Sequence, residues 1–171
     1  MSKSSTMWAF AVIVVGAGAA LSTWHFEARE LRRCQIDTGL APVAALLLKN
    51  QEIRGALAAD GYSGTEAAII ERYLADIRRD GVPKHAATQR KLDALIDNNT
   101  VIVALLANGA ASARTSQLKV QAQQYRDYAK SLRDRWHSTF EVFMAGGNLP
   151  AAGPERPSGI AAAVNGEIAA Q

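Results

Sequence analysis

The longest repeating pattern in this chain is apolar and recurs at intervals of three and four residues: Leu118, Ala122, Tyr125, Ala129, Leu132, Trp136, then Phe140 and Phe143. A helix with 3.6 residues per turn brings such positions to one side, whereas a strand would scatter them over both faces. The pattern therefore predicts a long amphipathic helix whose packing seam includes Leu118, Tyr125, Leu132 and Trp136. A helix with one apolar side has to bury it against neighbours, so the rest of the chain is read for partners.

Three such partners are predicted upstream. Thr38-Gly-Leu-Ala-Pro42 interrupts the chain, and Pro42 is placed to open a helix in its first turn. Residues 43 to 59 then set Val43, Leu46, Leu47, Ile53 and Leu57 largely on one side, until Asp60-Gly-Tyr-Ser-Gly64 ends the run. Ser63-Gly-Thr-Glu66 has the spacing of a capping box, and Ile70, Tyr73, Leu74 and Ile77 form the stripe behind it. Gly81 and Pro83 stop that helix. A further helix is expected from about His85 to Asn108, with Leu92, Ile96, Asn99, Val103 and Leu106 as its seam and Asn108-Gly109 as its stop. Helices joined by such short breaks are expected to pack antiparallel.

Asn99 is the polar member of this seam. A buried amide demands a partner, so it is expected to fix register or oligomeric state at some cost in stability. On that reading Asn99→Leu raises stability. A small-ligand pocket is the other use for such a residue.

At the other end, Met7 to Phe26 contains no Asp, Glu, Lys or Arg. A helix of that length rises about 30 Å, the thickness of a hydrocarbon core. Trp8 and Trp24 bracket it where amphipathic rings settle at membrane interfaces, and Gly16 and Ala20 are spaced for close helix–helix approach. Two readings stay open. A retained single-span anchor is preferred on length and flanks; a cleaved signal is suggested by the small residues of Gly16-Ala-Gly-Ala-Ala20. Orientation is also open, because Arg29, Arg32 and Arg33 beyond the span alternate with Glu27 and Glu30. The bundle is expected on the periplasmic side of a bacterial inner membrane, with the cytoplasmic side as the alternative.

From Gly146 onward the composition changes, with three of the chain's five prolines and five of its thirteen glycines. So little apolar surface predicts a flexible tail over 146–171, in which "GIAAAVNGEIAAQ" is at most a short helix for a partner.

The search for chemistry is mostly negative. The sequence has no HExxH, CxxC, nucleophile elbow or phosphate-binding glycine loop. The single cysteine, Cys34, forms no internal disulfide, though a bridge between two chains is conceivable. Asp134, His137 and Glu141 share a helix face, but it is the face opposite the apolar stripe, so no metal is expected there. Asp93 and Asp97 read as a solvated pair. Lys119, Arg126, Lys130 and Arg133 make a basic stripe beside the final seam; its functional reading is an anionic partner, its plain reading a solvated flank interrupted by Asp127 and Asp134. With a net charge of +3, nucleic acid is not expected.

The resulting expectation is an all-α protein: residues 1–6, a transmembrane helix over 7–26, an antiparallel bundle of about four helices over 27–145 with coiled-coil-like seams, and a disordered tail. Its expected role is non-enzymatic, a bacterial, phage or plasmid envelope protein acting through a protein partner or homo-oligomer, without a cofactor. A ligand-sensing four-helix bundle is the alternative, and an anchored cell-wall hydrolase a weaker one.

Overall fold

The computed structural model describes Glu30, Cys34, residues 39–111, Ala113 and residues 115–170. The apolar stretch 7–26, with Trp8, Gly16, Ala20 and Trp24, lies outside the described residues. Among those described there are helices and no strand: α1 (Ala41–Ala59), α2 (Glu66–Asp80), α3 (Ala86–Ala111), α4 (Ser116–Ala145) and α5 (Ile160–Ala169).

Local chemistry sets most of the boundaries. Pro42 lies in the first turn of α1, where its missing N–H costs no hydrogen bond. The cap of α2 is Thr65, whose Oγ1 accepts from the Ala68 N–H at 3.3 Å. The expected Ser63 box is thus displaced by two residues. Gly64, at φ +110°, turns the chain before Thr65 adopts the extended conformation that a cap needs, and Glu66 becomes the first helical residue. Gly81, at φ +84°, ends α2, and one 3₁₀ turn (Val82–His85) leads into α3. Thr115 caps α4 and left-handed Gly146 closes it.

The order of the contacts gives the topology. Between α1 and α3, Gly39 approaches Gly109, Asn50 bonds Asn99 and Asp60 pairs with Lys91, so the two run antiparallel. Between α3 and α4, Asp93 meets Trp136 and Asn99 meets Tyr125, again antiparallel. Helix α2 differs: Glu71 meets Arg135 and Arg78 meets Val142, so it runs parallel to α4. It covers the C-terminal half of α4. The packed pair joined by a short break, α3 and α4, is antiparallel as expected, whereas α2 and α4 are not consecutive in the chain.

The fourth position around α1, α3 and α4 is filled by α5, which packs on both α1 and α4. This corrects the expectation of a disordered tail. Ile160, Ala163, Val164 and Glu167 all point inward at helical spacing, and Ile160 and Val164 are fully buried. The Glu167 carboxylate accepts from the Thr115 backbone N–H (3.3 Å) and hydroxyl (3.0 Å), placing negative charge at the start of α4. A few well-placed apolar groups and this cap suffice to dock the segment.

Helix α3 lies between α1 and α4. It therefore buries Leu95 and Ile102 as well as the predicted Leu92, Ile96, Asn99 and Leu106, while Val103 is only partly covered. Val82–Ala111 is long and apolar enough to cross a membrane, but a core helix with two partners passes the same test.

Asn108-Gly109 does not stop α3, which continues to Ala111. Gly109 instead gives Leu40 room: a Cβ there would sit 2.8 Å from Leu40 Cδ2. Gly109→Val is expected to lower stability by about 2 kcal/mol through overpacking. Thermal denaturation with and without Leu40→Ala checks this, since the smaller residue restores part of the loss if the clash is the cause.

Candidate functional site

Two polar groupings lie inside this framework. The first joins three helices. Asn99 Oδ1 accepts from Asn50 Nδ2 at 2.8 Å and from the Tyr125 hydroxyl at 2.5 Å, and Asn50 Oδ1 accepts from Asn98 Nδ2 at 2.9 Å. Asn50, Asn99 and Tyr125 are almost wholly buried. Burial pushes the Tyr125 phenol up to about 12, so it remains a donor. With every bonded member inside one bundle, this cluster ties α1, α3 and α4 in register.

The second grouping surrounds a pocket of about 520 Å³ where α1 gives way to α2. Arg54 comes from α1, Gly64 to Ala67 from the start of α2, and Tyr128, Ser131, Leu132 and Arg135 from α4. The outer wall is Ala152 to Arg156, part of an extended strap that runs from α4 back to α5. Three features hold the strap. Arg135 donates to the Pro150 carbonyl while also pairing with Glu71 of α2. Gly153 lies so close to α4 that a Cβ there would come within 1.8 Å of Ser131 Oγ. Arg78 donates to the carbonyls of Val142 (3.2 Å) and Gly147 (2.6 Å), stabilising the end of α4 from which the strap departs.

The pocket's polar groups are incompletely matched. Arg54 Nε lies 3.3 Å from Glu66 Oε1, but its two outer nitrogens, Nη1 and Nη2, are buried without an acceptor. Arg135, 3% exposed, leaves its Nε without a partner. The Tyr128 hydroxyl is buried close to Glu66; burial, then the carboxylate's charge, raises its pKa well above the ordinary phenol range. Burying guanidinium N–H groups without acceptors is costly, and functional sites are where proteins tolerate that cost.

The other predicted residues fall elsewhere. Leu118, Tyr125, Leu132 and Trp136 are buried, with Trp136 donating to Asp93 Oδ1 at 2.9 Å and packing against Tyr73 and Phe140. Asp93 is therefore partnered rather than solvated, while Asp97 is exposed. Lys119, Arg126, Lys130 and Arg133 edge two shallow hollows between α3 and α4, of about 240 and 160 Å³. Arg133 lies 3.7 Å from Asp134. Asp134, His137 and Glu141 are all exposed, and no group of three possible metal ligands comes together among the described residues. Cys34 is exposed. His85 bridges Tyr62 (3.2 Å) and Asp80 (3.3 Å), fastening the 3₁₀ turn to α2.

The pocket residues Arg54, Tyr128 and Arg135 were not singled out in the sequence. A signal for them exists. Val43, Leu47, Asn50, Arg54 and Leu57 follow alternating steps of four and three, as do Tyr128, Leu132, Arg135 and Thr139. An arginine at such a position is ordinarily assigned to a solvated flank.

Comparison with family models, curated proteins and solved structures found no match.

Proposed function

We propose that this chain is a membrane-anchored, non-enzymatic ligand-binding bundle of the bacterial envelope, with residues 7–26 as its single span and the bundle on the periplasmic side. The observation that carries the binding reading is the 520 Å³ pocket, whose wall contains a buried guanidinium with two unpartnered nitrogens. That size falls within the range of small-molecule sites, and convergent unmatched donors are what a ligand satisfies. The anchor rests on the uncharged length and bracketing tryptophans of 7–26.

A thermal-shift screen on the full chain in detergent tests the binding reading. A ligand at a hundred times its dissociation constant adds about 2.7 kcal/mol, or roughly 5–10 °C for a chain of this size. Hydrogen-exchange protection should then fall on residues 64–67 and 128–135. Binders that protect only other regions would refute the reading. Protease accessibility in spheroplasts, with mass spectrometry of the mature N-terminus, reports topology and cleavage.

A second reading, interaction with a protein partner or another copy of the chain, is favoured by the groove between α3 and α4. It combines an apolar floor at Val103, Ala107 and Ala122 with a rim of Lys119, Arg126 and Lys130. Reversing Lys119 and Lys130 to glutamate is expected to shift the sedimentation of the full chain toward monomer. Unchanged sedimentation would remove the role of this groove in self-association.

A further inference from the structure

We infer that the pocket binds a small monocarboxylate with an apolar body, received by the Arg54 guanidinium. This rests on the ligand-binding reading above and specifies the ligand's chemistry. A guanidinium stays charged at any physiological pH and offers five N–H donors in a planar fork. In Arg54 only Nε has a protein partner, the Glu66 carboxylate, whereas Nη1 and Nη2 have none. Two adjacent outer nitrogens without acceptors present the geometry that a carboxylate meets with two parallel hydrogen bonds.

The charge around the pocket sets the valence. Three arginines, Arg54, Arg135 and Arg156, face two lining glutamates, Glu66 and Glu155, and Glu71 beyond the lining pairs with Arg135, so the charges balance. Arg135 is already committed to Glu71 and to the Pro150 carbonyl. A monoanion at the unmatched Arg54 donors is the smaller departure from that balance, while a phosphate dianion adds two charges and meets stronger repulsion from both lining glutamates. The remaining lining, including Ala67, Leu132, Ala152 and Pro154, is apolar and suits a hydrocarbon or aromatic body.

The strap is the way in. The outer nitrogens of Arg54 have almost no solvent contact, and residues 152–156 form the wall on the solvent side. A ligand that takes these donors has to part the strap from α4 near Ser131, where Gly153 is seated. Entry therefore needs 152–156 to part transiently, and occupancy is expected to protect 64–67 and 128–135.

The test titrates the full chain with acetate, hexanoate and 3-phenylpropanoate, each beside its neutral amide, and with inorganic phosphate. Binding is followed by calorimetry and hydrogen exchange. Hexanoate or 3-phenylpropanoate should bind saturably and at least tenfold more tightly than its amide and than phosphate, with exchange slowing at 64–67 and 128–135. Arg54→Gln, which keeps a donor toward Glu66, should remove that preference. The comparison of acid with amide needs no variant, so it stands even if Arg54→Gln misfolds. Equal affinity for acid and amide, with protection still in the pocket, overturns the carboxylate assignment and leaves the ligand-binding reading intact. Tighter phosphate binding does the same. Saturable binding whose protection falls only outside the pocket overturns both, and so does the absence of binding by any probe.

Discussion

Asn99→Leu is expected to lower the stability of the bundle by about 3 kcal/mol, because it leaves two buried donors unmet, each worth about 1–3 kcal/mol. The donors are Asn50 Nδ2 and the Tyr125 hydroxyl, both of which now converge on Asn99 Oδ1. For a chain of this size the melting temperature should fall by roughly 6–12 °C. This reverses the sign expected from the sequence, where Asn99 stood as a lone polar residue in an apolar seam. The triple change Asn50→Leu, Asn99→Leu and Tyr125→Phe should recover much of the loss, since the buried partners are then all apolar and Asn98, which loses its acceptor, is part-exposed to water. Thermal and denaturant unfolding of the single and triple variants decides the matter. A single variant as stable as the parent would show that the cluster contributes nothing.

Alkaline pH is the second large effect. All four tyrosines of the chain titrate above the ordinary phenol value. Burial is the leading cause in each, and it raises Tyr73 and Tyr125 to about 12. Because the folded-state values lie above the unfolded value of about 10, unfolding releases protons at high pH. The stability tied to these phenols is fully present below pH 10 and is lost as pH rises from about 10 through 12. For Tyr125 alone, the rise from about 10 to about 12 corresponds to roughly 3 kcal/mol. Tyrosinate absorbance at 295 nm should stay flat through pH 10 in the folded protein. It should then rise in one step together with the loss of helical circular dichroism, whereas urea-denatured chain titrates near pH 10. An early rise at pH 10 with the helix signal retained would contradict the burial of these rings.

How far the sequence reached can be judged from particular residues. The stripe from Leu118 to Phe143 specified α4 because period and length together exclude a strand, and Pro42, Gly81 and Gly146 fixed three boundaries through backbone chemistry that acts locally. Gly109 was misread as a stop because a glycine required for close approach to Leu40 is indistinguishable, in one dimension, from a glycine required for a turn. The tail was misread for a related reason. Composition measures how much apolar surface a segment has, but not whether Ile160, Val164 and Glu167 meet a vacant side of the bundle and the start of α4 at Thr115. The pocket was least legible. Arg54, Tyr128, Arg135 and the strap come from three separated segments, and an arginine at a seam position looks like any solvated arginine until its neighbours are placed.

The sequence by itself determined the all-helical character of the bundle, the positions of its long helices and the apolar sides they bury, since these follow from hydrogen bonding and periodicity within a few turns of chain. Only the tertiary structure decided which segment fills the fourth position, that α2 runs parallel to α4, which polar side chains meet inside, and that a guanidinium is left with donors to offer. Those outcomes depend on distances between residues far apart along the chain, set by packing all the helices at once.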